Sequence, residues 1–132
     1  MPVSNSNSVL IIAAEASSSL YAQRILEHWK ENDKHYDCFG VGSDSMKDLG
    51  FRIFGRSEDM AVVGIQEVLK NYSDIKSVFY KILEEVDRVK PKVALLLDYP
   101  EFNMKLAKEL KKRNIPVVYY ISPQIWAWRQ GR

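Results

Sequence analysis

Asp98 closes the run "LLLDYP", where three leucines deliver a carboxylate to the start of a turn. An acid at the end of an apolar strand is partly taken out of water, which suits a proton acceptor in general-base chemistry. The same residue also suits a helix N-cap or a turn, since Asp, Pro and Asn all favour such places. Glu101 reads as a first-turn helix charge. Asn103 reads as a ligand contact or as a solvent-facing side chain. Further upstream, "AAEASSS" carries Glu15 and Ser17 where dinucleotide folds have a phosphate-binding turn. It lacks G-x-G-x-x-G, which argues against a dinucleotide, although backbone amides at a helix start still bind anions. The lone G-x-G of "GVGSDS" reads as a strand-ending turn. His28 and His35 stand in no metal-ligand spacing, and the single Cys38 completes no zinc or nucleophile pattern and reads as structural.

A different kind of candidate lies in "DMAVVGIQEVLKNY". Met60, Val62, Val63, Ile65, Val68 and Leu69 surround Gly64 with more apolar side chains than one buried stripe requires. Two readings stand here: an exposed patch that touches lipid or a partner, or burial under the next helix.

The elements that must position these residues follow from periodicity. "SVLIIAA" is a continuous apolar run and predicts a strand buried on both faces. "EASSSLYAQRILEHWKEND" predicts a helix, with Ser17 to Ser19 as candidate N-caps. "HYDCFGVGS" predicts a short strand, and "DSMKDLGF" a short helix closed by Gly50. The segment around Gly64 predicts one helix. Ile75, Val78, Phe79, Ile82, Leu83, Val86 and Val89 predict another, ended by Lys90-Pro91. "KVALLLDYP" predicts a second buried strand, "EFNMKLAKELKKRNI" a helix with a basic last turn, and "VVYYIS" a third buried strand. Buried strands alternating with helices indicate an α/β, Rossmann-like domain: a mainly parallel sheet with helices on both faces. In such sheets ligands bind beyond the C-terminal strand ends. All four candidate turns fall there, including "SPQIWAW" with Trp126 and Trp128.

Composition bounds the alternatives. The 132 residues suffice for one domain with a real core, and 46% hydrophobic with 27% charged residues excludes a disordered chain. A net charge of +2 gives no sign of a nucleic-acid binder. One cysteine excludes an internal disulfide framework and fits a reducing compartment. No apolar run reaches the roughly 20 residues that cross a bilayer. The expectation is a cytoplasmic protein, at most peripheral on a membrane. Residues 1–7 read as a flexible tail and 8–132 as the domain.

Taken together, four stretches resemble the lipid-A-disaccharide synthase family. "AAEASSS" stands where that family has G-E-[AT]-S-G-D. "DMAVVGIQEVL" resembles E-L-A-V-M-G-[LIV]-x-E-V-L. "LLLDYPEFN" resembles I-D-[AS]-P-D-F-N. "YYISPQIWAWRQGR" resembles H-Y-V-S-P-[SQ]-[VI]-W-A-W-R-x-x-R. The resemblance implies the N-terminal, acceptor-side half of a two-domain GT-B fold. It implies an inverting transfer of 2,3-diacylglucosamine from its UDP derivative to 2,3-diacylglucosamine 1-phosphate, forming a β-1′,6 link, with no metal or other cofactor. It makes Asp98 the base and Glu15, Ser17, Asn103, Ser122, Trp126 and Arg129 cleft residues that bind substrate. It favours acyl-chain or membrane contact for Met60, Val62, Val63, Ile65, Val68 and Leu69, on the cytoplasmic face of the inner membrane.

This sequence also departs from the family pattern. Both turn glycines and the turn aspartate are absent from Ala14 to Ser19, Glu101 is longer than the family's aspartate, and Tyr119 replaces a histidine. Since the family continues past the residue corresponding to Arg132, the expectation is a truncated domain lacking its donor-binding half. Such a chain would be inactive alone and prone to self-association beside Trp126 and Trp128. The altered turn also supports a second reading, a binding or scaffold module that keeps the fold without catalysis.

Overall fold

The apolar run at the start becomes β1, Ser8–Ala13, in which every residue is buried. It is the central strand of a five-stranded sheet in the order β3-β2-β1-β4-β5. The structure, a computed structural model, describes residues 7–60 and 65–120, the side chains of 59 and 65–74 excepted. The other strands are β2 (Asp37–Gly42), β3 (Arg52–Arg56), β4 (Val93–Leu97) and β5 (Val117–Tyr120). All four pairings are parallel. The helices are α1 (Ala16–Glu31), α2 (Asp44–Lys47), α3 (Ser57–Met60), α4 (Ile65–Val89) and α5 (Pro100–Lys112).

Alternation along β1 splits the core into two layers. Leu10 and Ile12 pack with Ile82 and Val86 of α4 and Leu106 and Leu110 of α5. Val9 and Ile11 pack with Ala22 and Leu26 of α1 and Met46 of α2. Helices therefore cover both faces, as the Rossmann-like expectation requires. The chain builds outward from β1 to β3, then crosses back to β4 and β5. The topological switch thus lies between β1 and β4, where Glu15 and Asp98 leave their strands.

Four local expectations need correction. Ser17 to Ser19 are not N-caps: the cap of α1 is Glu15, with no side-chain capping bond, and the serines lie inside the first turn. The two helices read from the sequence between Gly64 and Val89 are one continuous α4 of 25 residues. The polar break at Asn71 to Asp74 carries helix propensities too mild to end a helix. β3 was not anticipated. Its two arginines mask a strand, yet the Arg52 guanidinium lies over the Phe39 and Phe54 rings at 5.3 and 5.9 Å. Finally, β5 is not buried on both faces. It is the sheet's edge among the described strands, and Val118 is 53% exposed.

Gly40 shows why the G-x-G belongs to the sheet. It sits at φ +137° beside a register shift, and a Cβ there would lie 2.1 Å from the Ile11 carbonyl oxygen.

Candidate active site

The end of β4 is held in an unusual backbone conformation. Asp98 and Tyr99 both take left-handed φ values, 48° and 49°, each costing about 1–2 kcal/mol for a residue with a Cβ. Three hydrogen bonds hold the Asp98 peptide. Its N–H donates to the Tyr120 carbonyl at 2.9 Å. Its carbonyl accepts from the Asn103 amide at 2.7 Å and from the Tyr119 hydroxyl at 3.1 Å. The side chain turns back toward α1, where the Ser18 hydroxyl donates to a carboxylate oxygen at 2.9 Å. Asp98 is 2% exposed and Ser18 fully buried. The N-cap alternative for Asp98 fails, since the cap of α5 is Tyr99.

Glu15 faces the same crevice from the start of α1. Burial, and then the negative charge of Asp98, hold its carboxyl above the ordinary value. Tyr119 is raised in the same way, by burial first and Asp98 second. Two acids and a phenol thus converge at the switch point, from three elements distant in sequence. Ser17 is half-buried nearby in the first turn of α1.

Asn103 does not face solvent. It is fully buried, and its amide N–H₂ also reaches the Leu97 carbonyl at 3.4 Å. Two carbonyl neighbours settle which end of the amide points at them, because only the nitrogen can donate. Its Oδ1 has no partner among the described residues. Glu101 is the first-turn acid of α5, as expected.

Beside this cluster an open cleft of about 350 Å³ runs along the ends of β1, β2 and β3, lined by Ala14, Ser19, Ser43, Asp44, Arg56 and Ser57. Ser57 donates to the Ala13 carbonyl at 2.6 Å and lies 2.7 Å from the Ser19 hydroxyl. Arg56 pairs with Asp44 at 2.9 Å and with Glu58 at 2.5 Å. None of these contacts was visible in the sequence.

The apolar segment is only partly described. Met60 is a core residue, 3% exposed, and its carbonyl accepts from the Tyr99 hydroxyl at 3.0 Å. This favours burial over lipid contact at that position. Val62 and Val63 lie outside the described residues, as do the side chains of Ile65, Val68 and Leu69. Ser122, Trp126, Trp128 and Arg129 also lie outside them. No described helix is long and apolar enough to cross a membrane. Cys38 is buried, and no group of three His, Cys, Asp or Glu side chains suited to a metal occurs among the described residues.

A family model described as lipid-A-disaccharide synthetase matches residues 9–132. The chain belongs to the lipid-A-disaccharide synthase family. Curated relatives bearing that name agree with it. The protein of Koribacter versatilis (strain Ellin345) is 47% identical over 125 residues, covering 94% of this chain and 33% of the relative. That of Trichlorobacter lovleyi is 42% identical over 132 residues, 100% of this chain and 34% of the relative. That of Coxiella burnetii (strain Dugway 5J108-111) is 36% identical over 128 residues, 97% of this chain and 34% of the relative. The chain therefore spans about a third of the length of the synthases it matches.

Against the synthase pattern, two departures meet at one residue. Ser18 stands at a glycine of the G-E-[AT]-S-G-D turn and Tyr119 at the histidine before the last tyrosine, and both hydrogen-bond Asp98.

Proposed function

We propose that this chain forms the acceptor-side part of a lipid-A-disaccharide synthase, with Asp98 as the general base. The reading rests on one observation above all: a buried carboxylate, oriented by Ser18, at the switch point of a parallel sheet. In the proposed step the acceptor's 6-hydroxyl gives its proton to Asp98 as its oxygen attacks the anomeric carbon of UDP-2,3-diacylglucosamine. The new C–O bond forms as the bond to UDP breaks, UDP leaves with the electron pair, and the anomeric configuration inverts. Removing the proton in concert avoids a free alkoxide, which is what a positioned base contributes. Glu15, whose charge is disfavoured beside Asp98, would contact sugar hydroxyls, with Ser17 near it. Ser122, Trp126 and Arg129 would extend the substrate surface. The remaining two-thirds seen in the relatives would supply the UDP-sugar site. Val62, Val63, Ile65, Val68 and Leu69 would meet acyl chains at the cytoplasmic face of the inner membrane.

The test mixes this chain with the remaining part of the Trichlorobacter lovleyi synthase and measures disaccharide formation, with the intact relative as control. Asp98→Asn keeps an acceptor for Ser18 but removes the base. It should lower turnover about 10²- to 10⁴-fold at unchanged melting temperature. Full turnover by that variant would refute the base assignment. Absence of product from every pairing, while the intact relative works, would favour a binding module.

A further inference from the structure

The left-handed pair at Asp98 and Tyr99 is held by side chains that the proposed reaction does not use. Two of them act on one atom: the Asp98 carbonyl oxygen accepts from Asn103 at 2.7 Å and from Tyr119 at 3.1 Å. Those two bonds use both lone pairs of that oxygen and leave the Asp98–Tyr99 peptide little freedom to rotate. The third is Ser18, whose hydroxyl donates to the carboxylate from a fully buried place in α1, 80 residues away in the chain. The grips come from three elements: α1, α5 and β5.

We propose that Ser18 and Tyr119 are positioning residues for Asp98, with Asn103 as the fixed brace between them. Tyr119 holds the strained peptide, and Ser18 sets the direction of the carboxylate leaving it. The inference rests on Asp98 being the base, and its mechanism is geometric. A left-handed Asp98 points its side chain into the crevice between β1 and β4. Relaxation to an extended conformation would swing the Cα–Cβ bond away, and small errors in aim are costly for a proton transfer that needs hydrogen-bond contact. Tyr119 suits the task because its hydroxyl reaches across from the neighbouring strand while its ring packs against the core. Neither residue need touch substrate, so their loss should act on kcat and leave KM in place.

Two measurements on the whole chain test this. The first is amide hydrogen exchange by NMR on Tyr119→Phe, which deletes one hydroxyl, and on Ser18→Ala. The Asp98 amide is bonded to the Tyr120 carbonyl. Its protection should fall about five-fold in Tyr119→Phe, the worth of one neutral hydrogen bond, while amides in β1 and β2 keep theirs. The second is turnover with the relative's remaining part. There kcat should fall about five-fold for Tyr119→Phe and about ten-fold or more for Ser18→Ala, a bond to a charged group, with KM unchanged. Unchanged Asp98 protection, or unchanged kcat in both variants while Asp98→Asn is inactive, overturns the positioning role. A rise in KM at constant kcat also overturns it, since that marks direct substrate contact. A fully active Asp98→Asn removes the base assignment, and the catalytic purpose of the clamp falls with it. The exchange data still report whether the peptide is held.

Discussion

Protonating Glu85 should loosen the packing of β2 and β3 on α4. Glu85 is 8% exposed, yet it carries a charge. Arg88 bonds it from the next turn of α4, at 2.5 and 2.8 Å. Arg52 of β3 bonds it at 2.7 Å and also holds Asp37 of β2. These partners, Arg88 first, depress its carboxyl from 4.5 to about 2. A carboxylate more acidic in the folded chain stabilises the fold above about 4.5, and that stabilisation is lost as pH falls toward 2. At about 1.4 kcal/mol per tenfold change in proton affinity, the full effect is about 3 kcal/mol. Arg88 is 67% exposed and Arg52 37% exposed, so solvent screens part of it. About 2 kcal/mol is the working figure. Urea unfolding of the native chain and of Glu85→Gln, followed from pH 6 down to about pH 2, isolates this group together with its coupling to Asp37 through Arg52, because the remaining carboxylates are common to both. The native chain should lose about 2 kcal/mol more than the variant across that window. Parallel curves would refute the reasoning and reduce the network to a surface ornament.

Other outcomes follow from the same geometry. Gly40→Ala should cost more than about 3 kcal/mol, since a Cβ 2.1 Å from a backbone oxygen has nothing flexible to push aside. A urea midpoint near that of the native chain would contradict this. Cys38 should resist a thiol reagent at mildly alkaline pH until denaturant is added, because burial, and then the charge of Asp37, push its thiol up to about 12. Prompt labelling of the folded chain would show that the layer beneath β2 opens.

The parts of this fold that repeat a simple period could be read directly. The apolar runs of β1 and β4 have no other stable place than the middle of a covered sheet, and the stripe of α4 from Ile75 to Val89 matches the face that packs on it. Asp98 was legible for a related reason, as a carboxylate at the end of such a run. β3 was not, because Arg52 shields its charge against aromatic rings and acids supplied by other elements. The edge position of β5 was hidden by its composition, which resembles that of a central strand. Ser18, Ser57 and Tyr119 could not be found at all from spacing. Their significance lies in contacts 80, 44 and 21 residues away in the chain, made only once the sheet has formed.

The bland interpretation of Asp98 is a turn former, and the cost of the arrangement counts against that. A turn at left-handed φ is made most cheaply by glycine, and occasionally by a single asparagine or aspartate. This chain instead places two residues with a Cβ there in succession, one of them a tyrosine, and buries a carboxylate beside a second acid, Glu15, whose own charge burial and Asp98 disfavour. Strain and desolvation both oppose the arrangement, and several side chains are committed to maintaining it. Backbone strain that neighbours over-determine in this way concentrates where a protein needs a group aimed. The departures at Ser18 and Tyr119 then look less like decay of the family's site than like a different set of supports for the same aspartate. Decay would leave the Asp98 peptide free to relax toward ordinary φ values. The structure instead has it gripped at its nitrogen, its carbonyl and its carboxylate.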